Sequence, residues 1–133
     1  MTICYLIIDT DRVIDHLNEI EPVVNRLKEL LPQGLALSII SLAELSEGVH
    51  YSRTPERSQQ ALNAFLEDVA VLGIDEEVCK IFGRERGRLR KVGQLIGDFD
   101  LLIASTGLHY GLTVLTNNRQ HFERVEGLPL ESL

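Results

Sequence analysis

The sequence predicts a three-layer α/β/α fold with a central, mainly parallel sheet of four to five strands, residues 1–133 forming a single domain. Three observations predict it. Short apolar runs rich in β-branched residues alternate with stretches whose apolar residues recur every three to four positions, the order expected of βα units. The first run, Ile3 to Ile8, shows no polar alternation, as in a strand covered on both faces. Near the C-terminus, the stretch from Asp98 to His109 is so apolar beyond its two acids that, as a helix, it must be buried on nearly every side.

The first strand ends at Asp9-Thr10-Asp11, after which Val13, Ile14 and Leu17 keep helical spacing. A second helix runs from Pro22 to Leu31, with Pro22 suited to a first turn and Val23, Leu27, Leu30 and Leu31 on one face, until Pro32-Gln33-Gly34 breaks it. Leu35 to Ile40 reads as the second strand. Ser41-Leu42-Ala43-Glu44 has the spacing of a capping box and opens a helix to about Tyr51. Thr54-Pro55 starts the next helix, and Val69 to Leu72 is a third strand. A long helix from Asp75 to about Val92 turns basic in its second half. The apolar helix from Asp98 to His109 follows, closed by Gly111 as a C-cap. Leu112 to Leu115 forms the fourth strand, a short helical piece runs to Phe122, and Leu128-Pro129-Leu130 is a short edge strand.

Composition narrows the class. With 44% hydrophobic and 25% charged residues the chain is expected to be globular, and 133 residues bury a core without staples. The opening apolar run is short, lacks a basic start and ends in an acid, so neither a signal peptide nor a membrane span is expected. Cys4 and Cys79 sit in apolar stretches without metal-ligand spacing and read as reduced core residues of a cytoplasmic protein. A net charge of -7 argues against coating nucleic acid by bulk attraction. The glycines from Gly73 to Gly93 do not form a phosphate loop, and the four histidines read as surface or supporting residues.

In parallel α/β sheets the ligand site lies beyond the carboxyl ends of the strands. Asp9 follows the first strand, Glu44 belongs to the helix after the second, Asp98 and Asp100 open the helix before the fourth, and Asn118 follows the fourth. All five therefore point to one end of the sheet. Carboxylates crowded together raise one another's pKa unless a cation neutralises them. An all-oxygen set suits Mg²⁺ or Mn²⁺ and not zinc, and such an ion suits phosphodiester hydrolysis. Structural roles fit some of the same residues. Glu44 pairs with Ser41 as a capping box, Asp98 fits a helix cap, and Asn118 fits the start of the short helix.

Four blocks carry a family resemblance: Ile7-Ile8-Asp9-Thr10-Asp11, Ser41-Leu42-Ala43-Glu44-Leu45, Gly97-Asp98-Phe99-Asp100-Leu101-Leu102-Ile103-Ala104-Ser105, and the stretch from Leu115-Thr116-Asn117-Asn118 through Phe122 to Gly127-Leu128. Together they resemble the PIN-domain nucleases, specifically the VapC-like toxins of toxin–antitoxin pairs. The resemblance implies catalytic and metal-binding roles for Asp9, Glu44 and Asp100, a weaker metal position at Asn118, and an outer or second-metal role for Asp98. Asn118 is neutral where many PIN domains carry an acid, which weakens the case for a tightly bound second ion. The resemblance also implies an RNA substrate, a cognate antitoxin and a homodimer.

Six of the 13 Lys and Arg residues fall between Lys80 and Lys91. Lys80, Arg84, Arg88 and Lys91 share a helical face that can track a phosphate backbone, and Arg119 beside Asn118 can hold the scissile phosphate. The alternative for that helix is a solvated surface paired to Glu76, Glu77 and Glu85. With no Trp and few other aromatics, base stacking is a poor model for recognition. Two alternative functions remain open on sequence alone. Asp9-Thr10-Asp11, Ser41, Lys91 and Gly97-Asp98 also look like the motifs of haloacid-dehalogenase-type phosphatases, with Asp9 as nucleophile, and an inactive PIN-like module would only engage a protein partner.

Overall fold

The computed structural model describes residues 5–132. Its elements are β1 (Leu6–Ile8), α1 (Thr10–Leu17), α2 (Glu21–Leu30), β2 (Leu35–Ser38), α3 (Ile39–His50), α4 (Pro55–Leu66), β3 (Ala70–Leu72), α5 (Glu76–Lys91), α6 (Asp98–Tyr110), β4 (Thr113–Leu115), α7 (Arg119–Phe122) and β5 (Leu130–Glu131), with a 3₁₀ turn at Leu31–Gln33. The strands form one sheet in the order β3-β2-β1-β4-β5, every neighbouring pair parallel. The fold class read from the sequence is therefore the observed one. Ile3 and Cys4, assigned above to the first strand, lie outside the described residues.

Successive strand residues face opposite layers, as a two-residue period requires. Leu6 and Ile8 pack with Val13, Leu27, Leu37, Leu45 and Leu62 in the layer of α1 to α4. Ile7 faces the other way, with Leu89, Leu101, Ile103, Val114 and Phe122 in the layer of α5 to α7. The helix at the heart of the sequence, α6, lies so close to the sheet that a Cβ on Gly107 would sit 3.4 Å from Val114 and 3.5 Å from Ile7. Gly111 closes α6 in the left-handed conformation, φ 68°, as its position predicted.

Two assignments need correction. The second strand stops at Ser38, whose Oγ accepts the N–H of Ile40 and caps α3, so the expected capping box at Ser41 and Glu44 does not form. Ile39 and Ile40 are β-branched and favour a strand, but the Ser38 cap and the packing of α3 override that preference. Cys79 is an exposed thiol and not a core residue. On α5 the core face carries Val78, Glu85 and Leu89, and Cys79, one position beyond Val78, turns outward.

Candidate active site

The sheet order reverses between β1 and β4, since the chain runs outward through β2 and β3 and then returns to the far side of β1. Ile8 pairs with Leu115, so Asp9 and Thr116 leave the sheet side by side. Asp9 is 4% exposed, and Thr116 is fully buried beside it. The Asp9 N–H donates to the Leu115 carbonyl at 3.0 Å, and the Thr116 hydroxyl donates to Asp9 Oδ2 at 2.7 Å. Thr116 Oγ1 in turn accepts the N–H of Asn118.

Burial pushes the Asp9 carboxyl up to about 6, partly offset by the Thr116 hydroxyl, with Asp100 and Asp11 raising it further. Asp100, in the first turn of α6, is raised as well, first by burial. His121 pulls it back and Asp11 adds to the rise. These two acids are therefore in one another's neighbourhood, as their sequence positions predicted. Asp11 is an exposed third negative group at this end of the sheet. Its only sequence signal was its spacing from Asp9.

Glu44 reaches the same end from α3. Thr10 Oγ1 lies 2.8 Å from both Glu44 Oε1 and Ser41 Oγ. A hydroxyl has one proton, so when Thr10 donates to the Glu44 carboxylate it accepts from Ser41. Since Ser38 caps α3, Glu44 owes nothing to capping and its carboxylate is held by the residue next to Asp9.

Asn118 precedes α7 without capping it through its side chain. Its Nδ2 is 2.9 Å from His121 Nδ1, and Asp100 Oδ2 stands 3.6 Å from that same nitrogen. His121 Nδ1 thus has the Asn118 amide on one side and the Asp100 carboxylate on the other. His121 is the site residue that sequence reasoning left among surface histidines.

Other predicted residues lie elsewhere. Asp98 is neither a cap nor turned to the other acids, because it is exposed and paired with Arg86 Nε at 3.0 Å. Arg119 is paired with Glu123 at 3.2 Å. Arg88 forms a two-pronged bond with Glu85, at 3.0 and 3.1 Å, and donates to the Arg124 carbonyl at 2.7 Å. Its guanidinium is thus engaged by protein partners, although the side chain is 36% exposed, and it is not a free backbone-binding group. Arg84 and Lys91 are exposed.

Among the described residues, no group of three His, Cys, Asp or Glu side chains forms a ready-made metal cage. The donor chemistry nonetheless fits a hard divalent ion. Asp9 and Asp100 are oxygen donors whose charged forms are disfavoured by burial and by their acidic neighbours, the imbalance a cation relieves.

The family profile described as PIN domain matches residues 6–128. The chain belongs to the PIN domain family. Ribonuclease VapC2 of Rickettsia felis is 37% identical over 106 residues, covering 78% of this chain and 79% of that protein. The tRNA(fMet)-specific endonuclease VapC of Shigella flexneri is 36% identical over 102 residues, covering 76% and 77%. In three dimensions this PIN domain resembles the crystal structure of VapBC2 from Rickettsia felis bound to a DNA fragment from their promoter, with a TM-score of 0.91, 31% identity, and 97% and 98% of the two chains covered. Membership displaces the phosphatase alternative, whose acidic motif would require Asp98 at the nucleophile and not paired with Arg86. Among the described residues no helix is long and apolar enough to cross a membrane.

Proposed function

We propose that this PIN domain is a Mg²⁺- or Mn²⁺-dependent endoribonuclease and the toxin of a toxin–antitoxin pair, acting in the cytoplasm with a cognate antitoxin and as a homodimer. The observation that carries the reading is buried Asp9, held by Thr116 at the β1–β4 switch point and under the field of Asp100. The relatives named ribonucleases and the resemblance to VapBC complexes support the substrate class and the partner.

Asp9, Asp100 and Glu44 would hold the ion, with Asn118 as a weaker neutral donor. A divalent ion bound there supplies charge neutralisation at the phosphate and a polarised water. The chain's own contribution is placement. Thr116 fixes the Asp9 carboxylate, Thr10 fixes Glu44, and His121 stands between Asn118 and Asp100.

Cleavage of a mixed set of short RNAs with Mg²⁺, with Mn²⁺ and with a chelator tests the reading. Asp9→Asn and Asp100→Asn should each abolish cutting while leaving the fold intact, and the chelator should stop the wild type. Cutting that survives the chelator refutes the metal, and stoichiometric phosphorylation of Asp9 by a small phosphate ester refutes the nuclease. A folded wild type that cuts no RNA with either ion leaves the inactive-module reading in its place.

A further inference from the structure

Glu85 is a charged residue on the core face of α5, 3% exposed, and the proposed cleavage chemistry makes no use of it. A buried carboxylate is costly unless paired and fully hydrogen-bonded. Here it accepts both prongs of Arg88 and also the N–H of Glu126 at 3.0 Å. Burial alone would raise its pKa, but Arg88 and the Glu126 N–H outweigh it and hold the carboxyl below its usual value. Arg88 goes on to donate to the Arg124 carbonyl at 2.7 Å. One helical turn of α5 thus grips the 124–126 segment by a carbonyl and by an N–H.

That segment is the C-terminal flank of α7. A four-residue helix has no stability of its own, so α7 takes its position from its anchors. Phe122 and Val125 are buried in the layer beneath it, and the grip on residues 124–126 fixes its end. Arg124 also donates through Nη1 to the Leu95 carbonyl at 3.2 Å, in the loop that leads into α6. On the neighbouring face of α5, Arg86 pairs with Asp98 in the first turn of α6. The two elements tied to α5 are those that carry Asn118 and His121 on one side and Asp100 on the other.

We infer that Glu85 and Arg88 are positioning residues, a tie anchored on the buried Glu85 carboxylate that links α5 to the 124–126 segment and sets His121 and Asn118 against Asp100. The inference rests on the proposed nuclease reading for its effect on turnover, but not for its effect on geometry. The same contacts engage Arg86 and Arg88 and leave Arg84 and Lys91 as exposed cations in the basic half of α5. Arg86 and Arg88, each still about a third exposed, reach the site's supports through Asp98 and the Arg124 carbonyl.

The test separates placement from stability. Replacing a buried ion pair by apolar side chains of similar volume often keeps or raises stability, whereas removing one partner does not. The double variant Glu85→Met/Arg88→Met should therefore stay folded while losing both side-chain bonds to residues 124 and 126. Its kcat on RNA should fall about 10- to 100-fold with KM little changed, since small displacements of catalytic groups cost that much. The side-chain ¹⁵N resonances of His121 should shift in the metal-free protein, a readout that needs no activity. Arg88→Lys keeps the charge opposite Glu85 but lacks the fork, and gives a smaller change in the same direction should the double variant fail to fold. Wild-type kcat together with unshifted His121 resonances in a folded variant overturns the inference. Shifted resonances in a protein that never cut RNA would leave the tie intact and refute the nuclease reading instead.

Discussion

The Thr116 hydroxyl donates to Asp9 Oδ2 across 2.7 Å, joining residues 107 positions apart where β1 and β4 run out of the sheet. The bond stabilises the charged form of a carboxylate that burial would otherwise protonate. Thr116→Val keeps the shape and removes the donor, and it also removes the acceptor for the Asn118 N–H. The folded protein should lose about 1–3 kcal/mol. The Asp9 pKa should climb further above 6 in the metal-free protein, as read by carboxyl ¹³C titration. Thr116→Ser should restore both values. An Asp9 titration unmoved by the Val substitution would show that the hydroxyl does not tune it.

Asp9 itself should impose a pH-dependent cost on the metal-free fold. Its pKa is 3.8 ordinarily and about 6 when folded. Below pH 4 both states are protonated and nothing is lost. As pH rises from 4 to 6 the unfolded chain releases its proton first, so stability falls, and above 6 the loss is constant. The shift corresponds to about 2–3 kcal/mol. In chelator, Asp9→Asn should therefore melt close to wild type at pH 4 and clearly above it at pH 7.5. Added Mg²⁺ should narrow that gap by stabilising only the wild type. Equal melting differences at both pH values would contradict it.

Much of the fold was legible because it rests on local period and punctuation. The continuous apolar run ending at Asp9, the Pro22 start of α2 and the Gly111 stop of α6 are one-dimensional signals. The site was legible as far as strand ends place residues, which is why Asp9, Glu44 and Asp100 emerged. What escaped lies in contacts between distant side chains. Nothing local to Thr116 announces Asp9, nothing local to His121 announces Asp100, and nothing local to Arg88 announces the Arg124 carbonyl. The shifted start of α3 was missed for a different reason, since two isoleucines favour a strand and only the Ser38 cap decides for the helix.

Thr10 offers a way to test the role of Glu44 without touching its charge. Its hydroxyl holds Glu44 and receives Ser41, both at 2.8 Å. Thr10→Val leaves buried Ser41 without this partner and frees the Glu44 carboxylate, costing about 1–3 kcal/mol of stability. If Glu44 contributes to the metal, Mn²⁺ affinity measured by calorimetry should also weaken, with Thr10→Ser recovering it. Lost stability with unchanged Mn²⁺ affinity would remove Glu44 from the ion's ligands.

Salt dependence separates the outer from the inner basic residues of α5. Arg84 and Lys91 are exposed, whereas Arg88 is held by Glu85 and the Arg124 carbonyl. Each phosphate contact on a single strand contributes about 0.7 to the slope of log K against log salt, so Arg84→Ala/Lys91→Ala should flatten it by roughly 1.4. The loss should be similar on any RNA sequence, because such contacts carry no base information. Arg88→Lys should leave the slope alone, its effect falling on turnover. Titrations belong in an Asp9→Asn background, where binding is read without cleavage. An unchanged slope in the Arg84/Lys91 variant would take this helix out of the RNA path. Its exposed cations would then belong to a protein interface, which the same variant would reveal as weakened dimerisation in light scattering.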